Sequence, residues 1–237
     1  MNARTLLLYS PLLFTLGSAA LAQPPKSRLN AAQELEKTAP EEAQILARSA
    51  MAAMTRGQLA IAKRDFEKVL TLVPDNIPTT LNLGLIAYRQ KNYKQAETLL
   101  KKVAHTEPEN GLPWLMLGVI YYDQDKLDAA LAALSTAVLH APKEPRAHHF
   151  LGVTIGKKGW YSGAEDELRK AIALDPDYGE AHFNLAVFYL QRNPPAVELA
   201  RRHYEKSLDL GGAPDPEVEK RLAAEDAESQ KTEDGTR

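Results

Sequence analysis

The side chains that could do chemistry are few and scattered. The 237-residue chain has six histidines, His105, His140, His148, His149, His182 and His203, and no cysteine. Disulfides, thiolate metal sites and cysteine nucleophiles are therefore excluded. His148 and His182 lie 34 residues apart, so a stacked structure could bring two imidazoles together over a metal. No third ligand follows at a fixed spacing and no H-E-x-x-H helix is present; rings packed between helices are the simpler reading. GKKGWYSG, residues 156–163, has the composition of a phosphate loop but not the G-x4-G-K-[ST] spacing. There is no G-x-S-x-G elbow, and no carboxylate pair stands out from the 31 acids. The expectation is no enzyme: no catalytic residue, no metal site and no cofactor.

Composition points the same way. The chain is 44% hydrophobic and 25% charged with a formal net charge of −2, an ordinary globular profile with no basic excess for nucleic acid. Its first 25 residues, MNARTLLLYSPLLFTLGSAALAQPP, differ from the rest. A basic start, an apolar run and the small-x-small sequence Ala20-Leu21-Ala22 predict a cleavable signal peptide over 1–22. Export follows as an expectation, to the periplasm, or to the medium if the organism has no outer membrane. The uncharged stretch from Thr5 to Ala22 is short for spanning about 30 Å of hydrocarbon, so membrane attachment is expected only if the segment is not cleaved.

The elements that would position any site repeat. Pro74, Pro108, Pro142 and Pro176 are spaced by 34 residues, and so are Leu83, Leu117, Leu151 and Leu185. The same step links Gly84, Gly118 and Gly152, and also Ala62, Ala96, Ala130 and Ala164. A period of this length means stacked supersecondary units. Within one unit, Trp114, Leu117, Gly118 and Tyr121 mark one helical face. After the polar turn Gln124-Asp125-Lys126, Leu127, Ala130, Leu131, Leu134, Ala137 and Val138 mark a second, and Pro142 ends it. Each helix is about a dozen residues, too short to persist alone in water. Gly118 and Ala130 let the two backbones approach.

Trp114, Leu117, Gly118, Tyr121, Ala130, Leu134, Ala137 and Pro142 resemble the pattern of the tetratricopeptide repeat, with Leu134 where an aromatic is usual. The resemblance implies an all-α fold, a right-handed superhelical solenoid of helix-turn-helix repeats. The units are expected at 43–76, 77–110, 111–144, 145–178 and 179–214, the last with a two-residue insertion around Asn193-Pro194-Pro195. Residues 23–42 form a linker with a short helix near Leu29 to Lys37. Residues 215–237 begin as a capping helix and end as an acidic disordered tail.

The resemblance also implies that the first helix of each unit lines a concave groove. Helical spacing then assigns the partner-binding residues: Met51 and Met54; Leu81, Leu85, Tyr88 and Arg89; Leu115, Val119, Tyr122 and Asp123; His149, Val153 and Lys157; Phe183 and Val187. As a set they are expected to leave more apolar surface than a soluble monomer normally exposes, so a peptide or helix with apolar anchors should cover them. Recognition of a free carboxyl terminus by lysines and asparagines is disfavoured, because Ala47 and Met51 stand at the matching places and only Asn82 agrees. The leading expectation is a non-catalytic interaction scaffold of the cell envelope. A self-associating assembly protein, a homo-oligomer, is the alternative, and a metal-binding or hydrolytic protein ranks behind both.

Overall fold

The structure is a computed structural model that describes residues 39–224. The signal segment, the linker up to residue 38 with its expected short helix, and the tail beyond residue 224 lie outside the described residues. All regular structure among the described residues is helical. These residues belong to two compact units whose boundary falls between Ile120 and Tyr121. The first unit holds α1 (Glu41–Thr55), α2 (Leu59–Leu72), α3 (Ile77–Arg89), α4 (Tyr93–Thr106) and most of α5 (Gly111–Asp123). The second holds the end of α5, then α6 (Leu127–His140), α7 (Pro145–Lys157), α8 (Tyr161–Leu174), α9 (Gly179–Gln191), α10 (Val197–Asp209) and a helical stretch over 216–224.

Helix starts keep the 34-residue step. First helices begin at Ile77, Gly111, Pro145 and Gly179, and second helices at Leu59, Tyr93, Leu127 and Tyr161. Helix α10 begins at Val197, two residues later than that step would place it, because Asn193-Pro194-Pro195 lengthens the turn. Each second helix ends the same way. The amide after its last residue (Val73, Glu107, Ala141, Asp175) donates to the carbonyl four residues back, at 2.8–2.9 Å. The proline that follows cannot continue the helix.

The turn inside each pair is also written in hydrogen bonds. Gly57, Lys91, Asp125 and Gly159 all have positive φ, at 71°, 58°, 58° and 86°. Each donates to the carbonyl three residues back, and the next residue donates to the carbonyl five back. Together these two bonds satisfy the orphan carbonyls of the helix end. Glycine takes this conformation freely, whereas a side chain costs about 1–2 kcal/mol.

Packing within pairs rests on small residues. A Cβ at Gly84 would stand 3.1 Å from Leu100, and one at Gly152 would stand 3.0 Å from Leu168 and 3.1 Å from the Ala164 carbonyl. A Cβ at Gly156 would lie 2.1 Å from the ring of Phe188, which is buried and joins α7 to α9. In the first unit, Ala50, Ala53, Met54, Ala62, Phe66, Leu83 and Ile86 form the core. The 216–224 helix buries Val218 and Leu222 at the end of the second unit. Tyr204 holds it there, its hydroxyl accepting from the Asp215 amide at 2.7 Å and donating to Glu219 at 3.1 Å.

Two substitutions separate these forces. Lys91→Gly should raise the urea midpoint, by up to about 1 kcal/mol in stability, since relief of the left-handed strain exceeds the added chain entropy. Gly152→Leu should lower stability by about 1–3 kcal/mol or more through overpacking. Unchanged midpoints in both would show that neither turn strain nor helix approach limits the fold.

Candidate functional site

The fifteen expected groove residues divide by exposure. Met54, Leu81, Leu85, Leu115, Val119, His149, Val153 and Val187 are buried; Tyr88, Arg89, Tyr122, Lys157 and Phe183 are half-buried; Met51 and Asp123 are exposed. The expected open apolar surface is thereby corrected, because the aliphatic members are covered. The helices explain it. Gly111–Asp123 and Gly179–Gln191 are apolar on nearly every side, and a helix of that kind is buried all round. Met54 goes into the core of the first unit. The surface side chains that remain sit mostly toward the C-terminal ends of the first helices, and all but Met51 are polar or aromatic.

In the first unit, Asn82 donates its amide to the Met51 sulfur at 3.5 Å. Arg89 is half-buried, has no ion pair among the described residues, and is held below the ordinary arginine range by burial alone.

The second unit brings more together. The rings of Tyr122, Phe150, His149 and Tyr178 form a ladder, with successive centroids 6.4, 5.1 and 4.8 Å apart. Lys157 lies over Tyr122 at 5.1 Å and pairs with Asp125 at 2.6 Å. His149 is buried with both ring nitrogens engaged. Asn184 donates one amide hydrogen to the Glu180 carbonyl (2.8 Å), which fixes its orientation, and the other to His149 Nε2 (3.0 Å). The imidazole proton therefore resides on Nδ1 and goes to the Tyr178 oxygen at 3.0 Å. Burial pushes His149 down to about 3, so at neutral pH it is a fixed neutral ring, unsuited to proton transfer.

Arg146, one turn before His149, makes a two-pronged pair with Glu144 at 2.6 and 3.1 Å. Its remaining terminal nitrogen, Nη1, is buried without a partner. A buried donor left unmade costs about 1–3 kcal/mol.

The two histidines that share a register do not meet over a metal. His148 faces Glu167 at 2.7 Å, and His182 faces His203 at 2.9 Å. Among the described residues no group of three or more His, Cys, Asp or Glu is placed to hold an ion. Gly159, in the loop that looked phosphate-like, is the positive-φ residue of its turn. Among the described residues no helix is long and apolar enough to cross a membrane.

Arg146, Tyr178 and Asn184 were missed by the sequence reading. Arg146 was discoverable, since it stands one helical turn from His149 on the same face. Tyr178 lies just before α9, outside any helical spacing, and Asn184 lies one position beyond the face taken for the groove.

Four models of the tetratricopeptide repeat match the chain, over residues 47–111, 87–152, 145–178 and 167–209. The chain belongs to the tetratricopeptide repeat family. Its all-α fold agrees with solved members. MamA from Desulfovibrio magneticus RS-1 superposes with a TM-score of 0.64 at 20% identity, covering 73% of this chain and 97% of that one. YrrB, described as a TPR protein with an unusual peptide-binding site, superposes with a TM-score of 0.58 at 22% identity, covering 83% and 97%. In sequence, the BBSome complex member BBS4 of Bos taurus is 30% identical over 156 residues, 65% of this chain. The match spans only 30% of that relative's length.

The His149 network makes a pH prediction. The ring's ordinary value is about 6.5 and its folded value is about 3. Its contribution is therefore intact above pH 6.5 and is lost as pH falls toward 3. Between pH 7.5 and 5 this amounts to roughly 2 kcal/mol. Denaturant unfolding at the two pH values should show a smaller acid loss in His149→Gln than in the wild type; equal losses would mean that the ring titrates normally.

Proposed function

We propose that this chain is a non-catalytic interaction scaffold that holds a peptide or helix of a partner protein along the first helices of its repeats. The observation that carries this reading is the unpaired, buried Nη1 of Arg146 beside an aromatic ladder on the first-helix side of the second unit. Arg89, half-buried without an ion pair in the first unit, is a second donor of the same kind. In the first unit Met51 and Tyr88 are the contact residues beside Arg89, over the buried Leu81, Leu85, Leu115 and Val119; in the second, Tyr122, Asp123, Lys157 and Phe183 are the contact residues, over the buried Val153 and Val187. Because Glu144 already neutralises Arg146, the best acceptor there is an uncharged carbonyl; at Arg89 it is a carboxylate. The peptide-binding site of YrrB, a TPR protein of similar fold, supports the class of ligand.

Export to the cell envelope belongs to the same proposal. It is supported by the charge, apolar run and Ala20-Leu21-Ala22 of residues 1–22. A mature N-terminus at Gln23 in the purified native protein is the expected result.

Photo-crosslinking tests the binding surface. A photoreactive phenylalanine analogue at Tyr122 or Phe183 should trap a partner in the native host, and the same group at Leu139, exposed on α6, should not. Arg146→Met should reduce the trapped yield about tenfold, the scale of one hydrogen bond to a charged group. Equal trapping from Leu139 would contradict the surface, and crosslinks only to a second copy of the chain would favour self-association.

A further inference from the structure

One ring position in each of the last three repeats closes onto the backbone behind it. Trp114 Nε1, His148 Nε2 and His182 Nε2 donate to the carbonyls of Pro108, Pro142 and Pro176 at 3.0, 3.0 and 3.1 Å. In the last two repeats the other ring nitrogen is engaged as well, and by equivalent positions of the second helix. Glu167 of α8 faces His148 Nδ1 at 2.7 Å. His203 of α10, equivalent once the two-residue insertion is allowed for, places its Nδ1 2.9 Å from His182 Nδ1.

The two clasps have opposite proton requirements. A ring whose Nε2 already donates to a carbonyl must carry a second proton to meet a carboxylate. The same ring must lack that proton to accept from another imidazole. At neutral pH, His203 Nδ1–H therefore donates to the bare His182 Nδ1. A first proton goes to the bare His203 Nε2 and makes that ring a cation; a second on the pair would set two N–H groups against each other, with two like charges in contact.

The surroundings of the pair add to this repulsion. From α8, Arg169 faces His203, and Arg202 adds charge from α10 itself. From α9, the Tyr189 ring lies 5.7 Å from the His203 ring. Glu165 of α8 is engaged by Arg169 at 2.6 Å and Arg192 at 3.7 Å, and accepts from the Tyr189 hydroxyl at 3.3 Å. From the 216–224 helix, Glu219 is bonded to the Tyr204 hydroxyl.

We propose that the last repeat is an acid-release element: protonation of the His182–His203 pair frees α10 and the 216–224 helix from α9, while the α7–α8 pair, clasped by His148 and Glu167, stays closed. The shifts agree in direction. Burial, followed by the charges of His182, Arg202 and Arg169, pushes His203 down to about 4. Against the raising effect of burial, hydrogen bonds from Lys170 and His148 hold the Glu167 carboxyl below its usual range. With His203 lowered from about 6.5, the clasp is intact above that pH and weakens as pH falls toward 4.

Hydrogen exchange by mass spectrometry on the full-length protein at pH 7 and pH 5, corrected for intrinsic exchange, reads the opening of each helix pair. In a His149→Gln background, which removes the titration inside α7, protection across 197–211 should fall about 20-fold relative to 145–174 between the two pH values. In the same background, His203→Glu, which reproduces the clasp of the preceding repeat, and His203→Gln, which removes the titration, should abolish this selective loss. A His149→Gln chain whose protection falls equally across 145–174 and 197–211 would overturn the proposal. So would variants that keep the selective loss.

Discussion

At Gly152 the backbone of one helix stands against Leu168 and the Ala164 carbonyl of the next with room for a hydrogen atom and nothing more. Gly84 and Leu100 repeat that approach in the first unit. The rest of the structure depends on it. Helices of 13 to 15 residues do not persist alone. Brought this close, two of them exclude water from the leucines and alanines between them and become one object. The left-handed turn residue and the terminating proline then set where each helix stops. The cost appears in the sequence as a small residue at a fixed period, with alanine in the glycine place in the first and last repeats, at Ala50 and Ala186.

A second constraint follows from the first. When helices lie so near, faces well away from the seam are covered too. This is why Leu85, Val119 and Val153 are buried although they point away from the packing residues of their own pair. What remains on the first-helix surface is mostly polar and aromatic, with Met51 and Ile45 the exposed exceptions on α1. In the proposed reading, recognition relies on donors, such as Arg146 Nη1 and the Arg89 guanidinium, as much as on apolar area, and gains specificity from their unmet hydrogen bonds.

The architecture was legible in the sequence because it rests on periodic, mostly apolar positions. Prolines, alanines and the Leu-Gly pair announce helix ends and seams without reference to anything distant in the chain. The late start of α10 was legible for the same reason, as a two-residue slip of the alanine and tyrosine columns. The site was less so. The spacing picked out Tyr122, Lys157 and Arg89, which stay half-buried, together with aliphatic neighbours that are covered, because exposure depends on neighbours that no single helix reveals. Hydrogen-bond pairs such as His148 with Glu167 and His182 with His203 join residues about twenty positions apart, across a turn of variable length. Their ring position read as generic packing, and the proline carbonyl that each ring reaches carries no side-chain signal.

The most direct test is the structure of the chain with a trapped partner bound. The partner should run along the first helices, with an acceptor on Arg146 Nη1 and its side chains against Tyr122 and Phe183. A partner seated on the second helices or on the end of the last repeat, with Arg146 Nη1 still unpaired, would contradict the interaction surface described.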